Sequence, residues 1–493
     1  MKKGSITIFL TLILSLLLSL VCTSIESVRM AAARTQILNS MDIGLYSLFG
    51  QYDRILLKDY DLFFLNGSGN KGKINLSSLY DELENYMKPL LEQNSQKLSV
   101  KQGGFSGYRL ATDQDGEVFF RQAVTYMKKT LGIQGIQSLI DQFQQQGERV
   151  REAEETGNQA EGNQSIENYD AEMDAAAQNS EAAQQESENT SGENGGQTGE
   201  PEISDGSQPS QVVNPIPILK RIRNMSLLDL IVPAEKGISE NTVEKSSLLS
   251  GRRCDKGMGM LEEVKKDDSY VSQLLFQKYL ENRLGSYTAP ADCELKYQKE
   301  YLLCGKNSDR ENLKSTASRL LMVREGINAA YLMTDPVKRA QVQSMALAIA
   351  SAFLVPPASV IIEAALLLCW SFGESLLDLR ELFHGGKVPF VKHAGNWQLA
   401  LENLADLMEN LDSGRRNDES GLSYEEYLQL MIVSESKKNK VSRGMDMIEL
   451  CIRSSTGQKG FRLDHCIEAI EASVDVKANR KKIFTVKKQY SYL

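Results

Sequence analysis

Twenty consecutive uncharged residues, Ile6–Ile25 (ITIFLTLILSLLLSLVCTSI), follow Lys2 and Lys3 at the start of a 493-residue chain. As a helix rising about 1.5 Å per residue, such a run covers roughly 30 Å, the thickness of a bilayer hydrocarbon core. A cleaved signal peptide has a shorter apolar stretch, about 7 to 15 residues, with small residues at its end. Here Glu26 and Arg29 stand between the run and Ala31–Ala33. The run therefore reads as an uncleaved transmembrane anchor, with Ile6, Phe9, Leu12, Leu16, Leu20 and Ile25 in lipid. Lys2 and Lys3 put the N-terminus in the cytoplasm by the positive-inside bias and everything downstream outside.

Beyond the run, Leu38, Met41, Leu45, Leu48, Tyr52 and Leu56 recur at spacings of three and four, a helical stripe without an intervening proline. They predict one helix from about residue 5 to residue 56, whose apolar face a partner or the rest of the chain must cover. Tyr60–Leu65 (YDLFFL) reads as a buried strand or turn edge, and Ser77–Leu91 and Val118–Phe143 read as helices.

Between Gln145 and Asn214 the composition collapses to Gln, Glu, Asn, Ser, Gly and Ala. Glu152–Ser210 alone holds fifteen acidic residues and no Lys or Arg; outside it 56 basic residues face 50 acidic ones, so the formal charge of -9 becomes +6. The acidity belongs to one tract and says little about partners of the folded part. So few large apolar residues cannot offset the entropy of ordering, which predicts a disordered linker.

Order restarts at Asn214-Pro-Ile-Pro. Ser308 with Glu311 and Ser423 with Glu426 are Ser-x-x-Glu capping boxes, and Asp335-Pro336 marks a third helix start. Alternation predicts strands at Leu295–Leu303 and, as a terminal hairpin, at Ile470–Val476 and Phe484–Tyr492. Met345–Val355 and Ala358–Phe372, split by Pro356-Pro357, are each too short to span a bilayer and read as a buried helical hairpin.

The fold class is thus α+β: a transmembrane helix continuing into a long helix, a disordered acidic linker, then a helix-rich domain with a small antiparallel sheet. The segments are a cytoplasmic tip at 1–5, the membrane helix at 6–25, a membrane-proximal stalk and helical region at 26–144, the linker at 145–213, and an extracytoplasmic domain at 214–493.

The chain contains no Gly-x-Ser-x-Gly elbow, His-Glu-x-x-His, phosphate loop or Cys-x-x-Cys. Asp113-Gln-Asp115-Gly reads as a turn, because no Glu completes a calcium loop. His384, His393 and His465 are widely spaced. The residues point to no enzyme, no cofactor and no metal; a hydrolase built on one of these histidines is the minor alternative. The cysteines after Cys22 (254, 293, 304, 369, 451 and 466) read as mostly free, buried thiols. Basic residues at 480–482, 487 and 488 suggest an anionic polymer or, more simply, a solubilised hairpin edge. Nucleic acid is not expected as a partner outside the cell.

Gly4-Ser-Ile-Thr-Ile-Phe-Leu, the Leu-rich run, Glu26, Arg29 and Ala31-Ala-Ala-Arg34 resemble the TadE/TadG-like minor pseudopilins of tight-adherence (Flp) pilus systems. Leu45-Tyr-Ser-Leu-Phe, Tyr52-Asp-Arg, Asn396-Trp-Gln-Leu, Gly421-Leu-Ser-Tyr-Glu-Glu-Tyr-Leu and Phe461-Arg-Leu-Asp are similar to uncharacterised bacterial membrane proteins of Tad-type loci. In that family a Glu stands five residues after the Gly; here Phe9 does, which argues against peptidase cleavage after Gly4 and against entry into a fibre. The resemblance implies a stationary, non-enzymatic accessory that assembles with other pilus or secretion-machinery membrane proteins. Its oligomeric state stays open. The alternative is a surface module binding cell-wall polymer or another ligand.

Overall fold

The fold is described from a computed structural model, which places residues 3–69, 72–93, 98–162, 169, 171, 175, 213–352, 358–411, 418–478 and 482–493. Helix α1 runs unbroken over Lys3–Phe49. It stops there because Gly50 favours the coil and Asp53 starts a new helix: the Asp53 carboxylate accepts the amides of Ile55 and Leu56 at 3.0 and 3.1 Å. That helix, α2 (Arg54–Tyr60), ends on Asp61 in the left-handed region. The expected single helix to residue 56 is therefore corrected. Tyr52 lies past the end of α1 in an isolated bridge to Leu65, and Leu56 belongs to α2.

A four-stranded antiparallel sheet is built on β3 (Cys466–Lys477). On one side β3 pairs along its length with β2 (Ser99–Leu110), from Ser99 opposite Lys477 to Leu110 opposite Ile467. It also pairs with β4 (Ile483–Ser491) and, at Cys466 and Ile467, with the two-residue β1 (Leu65–Asn66). The terminal hairpin expected from alternation is thus present; residues 479–481 of its connector lie outside the described residues. The second half of α1 and α3 (Leu76–Glu92) cover one face of this sheet. Ile470, Ala472, Val474 and Val476 of β3 share a core there with Leu79, Leu83, Met87 and Leu91 of α3. Alternation at two and repetition at four are the periods these elements need to face each other.

The larger core is helical. It combines α4 (Asp113–Gly162), which opens on a left-handed turn at Gln114–Gly116 and breaks at Gly132, with α7 (Tyr270–Glu281), after α5 (Ile216–Arg223) and α6 (Leu227–Ile231). It continues through α8 (Gln298–Cys304), α9 (Asp309–Thr334), α10 (Pro336–Ala352) and α11 (Ser359–Phe383). After the short α12 (Leu407–Asn410) come α13 (Tyr424–Val433) and α14 (Lys437–Ser455). The Ser423–Glu426 capping box forms in full, Ser308 caps α9, and the Asp335 carboxylate caps α10. The apolar pair α10 and α11 packs together, and most of the most apolar window of α11 is buried inside the body.

One further expectation changes. Leu295–Leu303 is not a strand: Asp309 captures the amides of Lys296 and Tyr297, and Tyr301, Leu302 and Leu303 are buried together on α8, which ends at left-handed Gly305. Of the six cysteines read as mostly free, Cys254, Cys304, Cys369 and Cys466 are thiols, and Cys293 and Cys451 form a disulfide. Helix α4 reaches into the segment read as a linker, as far as Gly162. Tyr169 is also buried in the helical core, its hydroxyl accepting from Asn214 at 3.0 Å. The rest of 163–212 lies outside the described residues. Because β2 pairs with β3, segments 26–144 and 214–493 share one sheet.

Candidate membrane anchor and its packing face

The two halves of α1 have opposite surroundings. Ile6, Phe9, Leu12, Leu16, Leu20 and Ile25 are 48–70% exposed, an apolar surface that the rest of the described residues leave open. An exposed apolar surface of this length is unfavourable in water and suits a bilayer. From Ala33 onward, Ala33, Ile37, Met41, Leu45, Leu48 and Phe49 are buried against α3 and the sheet. Of the predicted stripe, Met41, Leu45 and Leu48 are fully covered and Leu38 partly, whereas Tyr52 only edges onto Phe63 and Leu56 joins the helical core.

Sequence reasoning missed Ala33, Ile37 and Gly44. The first two extend the spacing of four backwards from Met41. At Gly44 a Cβ would lie 2.8 Å from Met87 and 3.0 Å from Leu83, so glycine lets α1 and α3 approach closely. Gln36 donates to the Leu90 carbonyl at 2.9 Å, and Phe49 packs on Tyr490 and Tyr492 with ring centroids 4.8 Å apart in each case. The face offered by the stripe is therefore used inside the chain.

The motifs that carry the resemblance fall on buried polar contacts. Arg324 and Asp378 are fully buried and paired at 2.8 Å, and Lys392 bridges Asp378 at 2.8 Å and Glu374 at 2.6 Å. Tyr427 accepts from Arg324 at 2.9 Å, and Glu374 accepts the amides of Gln398 and Leu399 next to Asn396 and Trp397. Two cations and two carboxylates cancel. Burial opposes the charge of Asp378, yet Arg324 and Lys392 hold its carboxyl below the usual range, while burial pushes Glu374 up. Nearby, Glu300 accepts from Tyr424 at 2.7 Å and from the Tyr287 amide at 2.8 Å, and burial raises it to about 7.

Phe461-Arg-Leu-Asp sits where the helical body meets β3. Asp464 receives Arg252 at 2.8 Å, Arg462, and the Asp255 amide at 3.0 Å; burial works against its charge, but these donors hold it far below a normal carboxyl. Buried His465 lies 3.0 Å from Asp255 through Nε2, and its Nδ1 has no partner. Burial, then the Arg462 charge, lowers its pKa. Asp255, Asp464 and His465 bring ligand atoms within 4.8 Å of one another. Both oxygens of Asp464 are committed, however, and two guanidinium groups would repel a cation, so no metal is assigned here. His384 Nδ1 lies 2.6 Å from the Arg380 carbonyl, and exposed His393 accepts from the Gly395 amide at 3.1 Å. Among the described residues, none of the three bonds to a Ser or Cys side chain.

Residues 205–478 match the model of a family of unknown function, DUF5702, covering α5 to α14 and β3 and leaving α1 to α4, β1, β2 and β4 outside the match. No curated protein and no solved structure matches the chain.

Proposed function

The chain belongs to DUF5702, a family of unknown function, and from that premise we propose that it is a non-enzymatic, single-pass membrane protein with a structural or assembly role in a Tad/Flp-like pilus or secretion apparatus. The observation that carries the structural part is the continuity of α1: one helix is bare and apolar over its first half and locked into the body over its second. A body fixed in this way moves with its anchor and holds a defined height above the bilayer, as a scaffold requires. The Tad-like setting rests on the motif resemblance. The N-terminus is cytoplasmic and the body lies across the membrane, a reading supported by Lys2 and Lys3 and by the Cys293–Cys451 disulfide, a bond that persists in oxidising compartments.

Affinity capture of the full chain from its native membrane tests the assembly role, together with a count of pili after deletion. Recovery of pilus-machinery membrane proteins and loss of pili are expected. Normal pili in the deletion strain, with no such proteins captured, would reject the role. Thiol trapping in intact cells tests the orientation: Cys293 and Cys451 should become reactive only after reduction, and their labelling without reductant would place the body in the cytoplasm.

A further inference from the structure

We propose that the membrane-facing end of the sheet, Lys101, Lys477 and Lys482 with Ile483, docks on the anionic phospholipid headgroups of the bilayer that carries α1. The inference rests on the membrane-anchor reading and adds a second contact to it.

Strand β4 runs alongside α1. Lys482 Nζ meets Met30 Sδ at 2.7 Å, Lys488 pairs with Asp42 at 2.9 Å, and the Tyr492 hydroxyl donates to the Phe49 carbonyl at 2.5 Å. The lengths agree: ten strand residues cover about 33 Å and nineteen helix residues about 29 Å. The turn end of the β3–β4 hairpin therefore points at the bilayer, and the chain terminus points away. Met30 stands five residues past Ile25, about 8 Å along the helix. The headgroup layer on each side of the hydrocarbon is roughly 5–8 Å thick, so Lys482 sits at its level.

The same end gathers unneutralised cations. Lys477 is opposite Ile483 in one ladder and Ser99 in the other, and Lys101 follows two residues up β2. Among the described residues, none of Lys101, Lys477 and Lys482 meets a carboxylate, and the recorded partner of Lys482 is a neutral thioether. Asp475 is occupied by Gln102 and Thr485, and Glu26 already has a partner of its own. Ile483 is 48% exposed beside Lys482 and Val28 of α1 is 68% exposed, an apolar rim suited to the acyl boundary. Basic groups next to an apolar rim at headgroup height match an anionic lipid surface, where each lysine favours contact roughly fivefold.

The full chain in nanodiscs of phosphatidylcholine alone, or with 30% phosphatidylglycerol (about one lipid in three), supplies the test through amide hydrogen exchange of the hairpin end. Exchange around Ala478 and Ile483 should slow at least about tenfold in the anionic discs. That protection should vanish at high salt and in the Lys101→Glu/Lys477→Glu/Lys482→Glu variant, while exchange in α9 stays unchanged. Equal exchange in both lipids for an embedded wild-type chain would overturn the proposal and leave the anchor standing. Protection that appears only when an anionic wall polymer is added would also overturn it. Failure to enter either disc would overturn anchor and docking together.

Discussion

The halves of α1 are equally helical, yet one is apolar on every side and the other on one side. Ile6–Ile25 has no charge anywhere on its circumference, whereas Arg34, Asn39, Asp42 and Ser47 alternate with the buried Ile37, Met41, Leu45 and Leu48. The pattern decides what covers each half: a fully apolar cylinder needs lipid all round, and a stripe needs a protein face. The close approach at Gly44 fixes which face.

A charge placed in the first half should have the largest effect. Leu12→Arg/Leu16→Arg is expected to cost roughly 6 kcal/mol of insertion, moving the chain from the carbonate-resistant membrane fraction to the soluble or aggregated one. The body shows when a buried charge is tolerated. Arg324 is as enclosed as any residue, but Asp378 and Tyr427 meet it, so Arg324→Met should cost about 4 kcal/mol by stranding carboxylates and lower the denaturation midpoint without altering membrane association. A cavity separates the two halves of α1 most cleanly. Leu45→Ala should destabilise the body by about 3 kcal/mol, whereas Leu14→Ala, outside the body, should leave its melting temperature unchanged within error.

The smallest expected effect concerns pH. Glu300 binds its proton more tightly folded than unfolded, with a pKa raised from 4.5 to about 7. Its contribution is therefore fully present below about pH 4.5 and is lost as pH rises through 7. Glu300→Gln should flatten the stability profile between pH 5 and 8, with a gain of roughly 2 kcal/mol over wild type at pH 8; parallel profiles would show that Glu300 is ionised at no cost.

Much of this was legible where one period runs without interruption. The long apolar N-terminal helix, α3, the capped starts of α9, α10 and α13 and the terminal hairpin all follow from local spacing and caps. Strand β2 was not, because Gly103, Gly104 and Gly107 make Ser99–Leu110 look like a loop and its partner lies more than 350 residues away. Gly107 is needed for contact rather than freedom: a Cβ there would meet the Met258 carbonyl at 3.0 Å and Gly259 at 3.3 Å. The Tyr297–Leu303 stretch alternates like a strand, and only Asp309 and Gly305, a few residues on, turn it into a helix. The Arg324–Asp378–Lys392–Glu374 cluster was hidden too, since its members read singly as surface charges and the pairing is purely tertiary. Tyr169 is the one aromatic in a polar tract, and no local pattern announces that the core takes it up.

A depth scan along α1 tests most directly whether one continuous helix passes from lipid into the body, with single spin labels placed in turn from Ile8 to Ser47 of the full chain in lipid nanodiscs. Oxygen-rich, water-poor positions are expected through Ile25, then a rise in water access at Arg29 and a helical oscillation set by α3 and the sheet, with no break in periodicity between. Water access throughout Ile8–Ile25, or a loss of helical period between Glu26 and Ala33, would contradict it.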